Sequence, residues 1–222
     1  MINAIGTLTD FMVNSQRSFD VSANNLSNMN STGFKKNLYI ERGRVKGTYV
    51  DITPGEYRYT GNTLHAALER DKFFAVMTPQ GVRYTRNGEF TINERNELVT
   101  LSGHRLIGQN GLIPPLNGNV QFDMQGNVYS QDVRIDSFMI VQPQNRAEIR
   151  SAGDGLFVFN AAPAQGGRLI QPGTLEGSNV DSLAEMIGVI SKLRSFEIGQ
   201  RLVKMQDNLL GKVSNDIGRS GG

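Results

Sequence analysis

The stretch 21-VSANNLSNMNSTGFKKNLY-39 decides how the rest of the chain is read. Four asparagines fall among the seven positions from Asn24 to Asn30, directly after a segment with helical periodicity. Asparagine is a poor helix former because its amide competes for nearby backbone groups. Ser31, Thr32 and Gly33 follow, then Phe34 and two lysines. The stretch therefore predicts the end of an N-terminal helix and a turn of the chain into a different kind of structure.

Upstream, Ile5, Met12, Phe19 and Leu26 recur every seven residues, with Leu8, Ser15, Ser22 and Met29 on the companion positions. This is an a/d seam whose small d residues let a neighbouring helix come close. Such a helix is marginal alone and needs a partner. The other end of the chain supplies one. All seven prolines lie between 54 and 172, so both ends are free of the residue that breaks helices. In 174-TLEGSNVDSLAEM-186, Ser178 with Asp181 or Ser182 with Glu185 can form a capping box, placing a helix start near 178 to 182. Leu183, Met186, Ile187, Ile190 and Leu193 follow at helical spacing, and Ile198, Leu202, Met205, Leu209 and Val213 form a second, rotated stripe. About 40 helical residues would span about 60 Å, longer than a small domain is wide.

The middle reads as β. Short β-rich runs alternate with turns at Thr78-Pro79-Gln80-Gly81, Ser102-Gly103, Gln109-Asn110-Gly111, Asn117-Gly118 and Gln125-Gly126. Asn87-Gly88 between VRYTR and EFTI predicts a two-residue type I′ hairpin with Gly88 at positive φ. IDSFMIV, residues 135–141, is the expected central strand, and GDGLFVFN, residues 153–160, a late one. The expected fold class is α+β: long N- and C-terminal helices forming a coiled-coil-like axial domain, with an inserted all-β, sandwich- or barrel-like domain. The divisions are an N-terminal helix and turn at 1–36, a linker at 37–63, a β-rich domain at 64–172, and a C-terminal helix at 173–222 pairing with the first. An intramolecular helical hairpin in a monomer is the competing explanation of the terminal stripes.

Composition excludes several chemistries. The chain has 222 residues, 25 glycines, no cysteine, no tryptophan and a net charge of +2. There is no thiolate metal site, no basic run suited to nucleic acid and no apolar run of membrane-spanning length. The N-terminus has no basic residue before Arg17, which argues against a cleaved secretory signal. His65 and His104 sit in separate contexts without further ligand spacing, and no nucleophile elbow or phosphate loop is present. Catalytic residues, cofactors and metals are therefore expected to be absent. A glycan-acting or peptidoglycan-binding module is the alternative from another class. It would draw on Glu94, Glu97, Asp132 and Asp136, but it needs a sugar cleft.

Two motifs carry a resemblance. ANNLSNMNSTGFKK, with Asn24, Asn25, Leu26, Asn28, Asn30, Gly33 and Phe34, resembles the asparagine-rich signature of flagellar basal-body rod and hook proteins, close to A-N-N-L-A-N-x-N-T-x-G-F-K. GTLEGSNVDSLAEM, with Leu175, Glu176, Ser178, Asn179 and Val180, resembles that family's C-terminal signature ahead of a long helix. TGNTLHAALERDKFFAV and the region through SGHRLIGQNG look like its shared β domain, so the resemblance covers nearly the whole chain. Within the family the FlgF-type proximal rod protein is the nearer match, with the distal rod protein as rival. The resemblance implies a non-enzymatic structural subunit that polymerises helically into the rod, the drive shaft of the flagellum, within the periplasm and cell envelope. It implies as partners other copies of the chain, other rod proteins and the flagellar type III export apparatus, with no nucleic acid and no membrane span. The assembly interface it implies comprises Ile5, Leu8, Met12, Phe19 and Leu26 with Leu183, Met186, Ile190, Leu193, Ile198, Leu202, Met205 and Leu209.

Overall fold

The computed structural model describes residues 2–42, 45–163 and 170–220, with side chains described at 6–41, 46–163, 170–206, 208, 209 and 211. The chain forms two compact units, Met1–Leu26 with Asp181–Gly222, and Ser27–Val180.

The first unit is helical. Helix α1 spans Ile2–Ser27 and helix α2 spans Ser182–Ser220. Asn24 and Asn25 lie inside α1, so the helix outlasts the first half of the asparagine cluster. The chain leaves it through a turn in which Ser31 N–H donates to the Asn28 carbonyl at 3.1 Å. At the start of α2 neither capping box forms. Asp181 is the cap, its Oδ1 accepting from Ala184 N–H at 3.0 Å, while Ser178 Oγ accepts from Val180 N–H in a local turn.

Among its described residues the second unit holds nineteen short strands, and these change the expected fold class. The described chain is mostly β with only two helices, and those two do not form a coiled-coil-like domain. The expectation overweighted the terminal periodicity. A stripe at helical spacing states that a helix has an apolar face, but coiled-coil packing also requires that face to be turned inward, and in α2 it is turned outward.

The largest sheet has ten strands. Its path runs β15 (Arg150–Gly153), β16 (Leu156–Val158), β6 (Gly81–Thr85), β5 (Phe73–Thr78), β9 (Arg105–Gly108), β8 (Leu98–Thr100) and β7 (Phe90–Ile92). β10 (Gly111–Leu112) joins β9, β14 (Ile140–Pro143) joins β5, and β17 (Ala161–Pro163) joins β14. The hub is β5, whose alternating side chains feed two cores. Phe74 packs edge-on to Phe90 and Phe138 in one, while Phe73 meets Phe157 and Phe159 in the other. β11 (Val120–Phe122), β12 (Asn127–Ser130) and β13 (Val133–Ser137) make a three-stranded sheet over the first core. Three pairs complete the unit: β1 (Asn37–Arg42) with β2 (Val45–Val50), β3 (Tyr57–Tyr59) with β19 (Thr174–Glu176), and β4 (Ala66–Leu68) with β18 (Ile170–Pro172).

Two local expectations are corrected. Residues 135–141 are not one central strand. They divide between β13 and β14, which lie in different sheets, because the chain breaks at Phe138 and Met139 to cross from one to the other. Asn87-Gly88 is not a hairpin turn: β6 pairs with β5 and β16, β7 pairs with β8, and Gly88 is not at positive φ. Glycine is required there by close approach, since a Cβ on Gly88 would sit 1.6 Å from the Ala66 carbonyl oxygen. The tight turn expected at Pro79-Gln80 is present, closing β5 onto β6 with Thr78 opposite Gly81.

Candidate functional site

In the helical unit, α1 and α2 meet antiparallel through small and polar residues. Asn25 Nδ2 donates to Glu185 Oε1 at 3.4 Å, Lys192 Nζ donates to Ser22 Oγ, and all but Lys192 are buried. A Cβ on Gly199 would lie 3.0 Å from Met12 Cγ and 3.4 Å from the Phe11 ring, so the missing side chain is what admits Met12. Leu8, Met12, Phe19 and Leu26 are half-buried, and the side chain of Ile5 lies outside the described residues.

The predicted α2 residues face the other way. Leu183, Met186, Ile190, Leu193, Ile198, Leu202, Met205 and Leu209, together with Ile187, are between 44 and 68 % exposed. Leu183, Ile187, Ile190, Ile198, Leu202, Met205 and Leu209 succeed one another in helical steps, with Arg194 filling the one gap. At 100° per residue they fall within an arc of about 120° and run about 39 Å along the helix. A shallow groove lies midway, lined by Ile187, Ile190, Ser191, Arg194, Ser195 and Ile198. Contiguous exposed apolar surface of this extent is a feature of interaction surfaces.

The signature residues of the β unit converge on a buried ionic cluster. Glu176, at the end of β19, is fully enclosed. Its Oε2 receives Arg86 Nε at 2.9 Å and Nη2 at 2.5 Å, and its Oε1 receives Lys35 Nζ at 2.6 Å and Gly55 N–H at 3.1 Å. Arg86 also donates to the carbonyls of Leu68, Glu69 and Lys72, and Lys35 to that of Thr53. Burial pulls the Lys35 ammonium below the ordinary lysine range, against the opposing pull of Glu176. Tyr57, which donates to the Leu68 carbonyl, is held above the ordinary tyrosine range, by burial first and then by the Glu176 charge.

Around the cluster the two motifs interlock. Gly33 N–H donates to the Glu176 carbonyl at 2.7 Å. Gly33 has φ +67°, and a Cβ on it would lie 2.5 Å from the Arg86 backbone, so both its conformation and its contact demand glycine. Asn179 accepts from Lys36 N–H at 2.7 Å and donates to the carbonyls of Asp51 and Thr53. Leu175 is buried, Phe34, Asn28, Ser178 and Val180 are half-buried, and Asn24 and Asn30 are exposed. Sequence reasoning singled out Glu176, Gly33 and Asn179 but missed Lys35 and Arg86. Lys35 stood in the quoted GFKK run, and Arg86 gave no local sign beyond being a cation between a strand and a glycine.

Of the acidic residues considered for glycan chemistry, Glu97 and Asp136 are bonded to neighbouring side chains. Glu97 receives Asn93 and Arg105 beside the turn that carries Glu94, and Asp136 receives Asn110 and the Ser137 amide, while Asp132 lies in the β12–β13 turn. His65 is tied by its ring nitrogens to Thr60 at 2.8 Å and Asn62 at 3.1 Å, a turn-holding arrangement. Among the described residues no group of three or more potential metal ligands converges, and no helix is long and apolar enough to cross a membrane.

Residues 67–155 match the flagellar hook protein FlgE/F/G D1 domain, and residues 171–216 match the C-terminal region of flagellar basal body rod FlgEFG proteins. The flagellar basal-body rod protein FlgF of Caulobacter vibrioides is 31% identical, over 87% of this chain and 87% of the relative. FlgG of Borreliella burgdorferi is 29% identical over 97% of this chain and 98% of its own length, and FlgF of Escherichia coli is 29% identical over 90% and 92%.

Proposed function

The chain belongs to the flagellar basal-body rod proteins, a structural and not an enzymatic family, and on that premise we propose that α2 carries the contacts by which this rod subunit assembles. The observation that carries the reading is the outward apolar strip from Leu183 to Leu209. Burying a half-exposed leucine or isoleucine recovers about 1 kcal/mol. Seven such residues supply several kcal/mol towards association before its entropic cost. Copies of the chain and other rod proteins are the partners of this strip. A contact that joins the strip of one subunit to a different surface of the next does not close on itself and propagates as a helix.

The position along the rod is proximal, of the FlgF type. The short link between residues 37 and 64 and the DITPGEYRYTGNTLHAALERDKFFAV run support it. The subunit works in the periplasmic part of the basal body and reaches it through the flagellar type III export apparatus. The experiment is complementation of a strain lacking this subunit with Ile190→Asp. The variant is expected to keep wild-type helix content and β-unit melting, to be exported normally, and to give no rods in isolated basal bodies. Normal rods and swimming cells would remove α2 as the assembly surface.

A further inference from the structure

Glu176 arrives late in the chain, and the groups that need it arrive early. Lys35 and Arg86 are both buried, and among the described residues Glu176 is the one carboxylate in ion-pair contact with either. The strands just before it close the same region. Among the described residues β18 is the only strand pairing with β4, and β19 the only one pairing with β3. Ile170, on β18, is fully buried in the same core cluster as Leu68, Phe74 and Phe138. Asn179 then fastens the segments at 36 and 51–53. Without 170–179, two cations would lie buried with no counter-charge and two strands would have no partner. A buried charge stripped of its partner is among the most destabilising defects a fold can hold.

We infer that residues 170–179 are a closing latch: the β unit becomes stable only when Glu176 is seated between Lys35 and Arg86. The chain through β17 is then not a separately stable body, and a subunit interrupted before Glu176 does not yield a folded β unit. This goes beyond the rod reading and does not depend on it.

Hydrogen exchange on the full-length chain tests the latch. Glu176→Gln keeps the size of the side chain and removes its charge. Amides of β3 and β4 should exchange about a hundredfold faster or more, and those of β5, in the separate ten-stranded sheet, should accelerate by a similar factor because all share one opening. Adding Lys35→Met to Glu176→Gln should recover at least about tenfold of that loss, since one uncompensated cation is removed. Unchanged rates in Glu176→Gln, or acceleration confined to β3 and β4 with β5 unaffected, would overturn the inference. If the single variant does not fold at all, the double variant decides: recovery of protection supports the latch, and continued unfolding refutes charge compensation as its basis.

Discussion

Replacing Arg86 by methionine should lower the melting temperature of the β unit without touching the helices. Methionine fills much of the same volume and removes all the donors. Glu176 loses two charge-assisted hydrogen bonds, at 2.9 and 2.5 Å, but keeps Lys35 and the Gly55 amide. Of the three carbonyls Arg86 serves, Leu68 retains Tyr57 and Glu69 retains the Lys72 amide. Breaking a buried ion pair by removing one partner costs about 3–5 kcal/mol, and the surviving partners place this case near 3. For a body of roughly 150 residues each kcal/mol is worth about 2–4 °C, so the transition should fall by about 6–12 °C. Arg86→Lys should recover only part of the loss, because one ammonium cannot reach both the carboxylate and three carbonyls. Differential scanning calorimetry and near-ultraviolet circular dichroism would follow the transition. A shift under about 2 °C for Arg86→Met would refute the view that the cluster holds the unit together.

Three further outcomes follow from other contacts. Gly88→Ala should destabilise the β unit by about 2 kcal/mol or more, because its Cβ runs into the backbone of β4, and a denaturation midpoint near that of wild type would refute the close approach of Ala66. Burial alone would raise the Asp123 carboxyl, but bonds from Asn127, Tyr129 and the Gln125 amide outweigh it and hold it below the ordinary value of 3.8. Its stabilisation is full above that value and is lost as pH falls through the lowered one, so below about pH 4 wild type should lose stability more steeply than Asp123→Asn in acid titrations followed by circular dichroism. Gly199→Leu should force Met12 aside and weaken the helical unit by about 1–3 kcal/mol, read as earlier loss of far-ultraviolet helical signal with β-unit melting unchanged.

Local chemistry determined much of this protein. Proline-free ends, a helical period and an acidic cap at Asp181 specify two helices whatever they pack against. Pro79-Gln80 closes its hairpin because turn geometry depends on a few adjacent residues. The two signature motifs were legible in the same way, as ordered strings. What they do was not, because Arg86 and Glu176 are ninety residues apart in sequence and meet only in the fold. The same limit explains Asn87-Gly88, a dipeptide that suits a hairpin locally but is claimed by the approach of Ala66 from twenty-two residues upstream. It also explains the helices. Period places Leu183, Ile187 and Ile190 on one face of α2, but which face turns inward is settled by the partner. Ser22, Asn25 and Gly199 let the backbones close and give the polar side chains bonds, and the apolar strip is left on the exposed face.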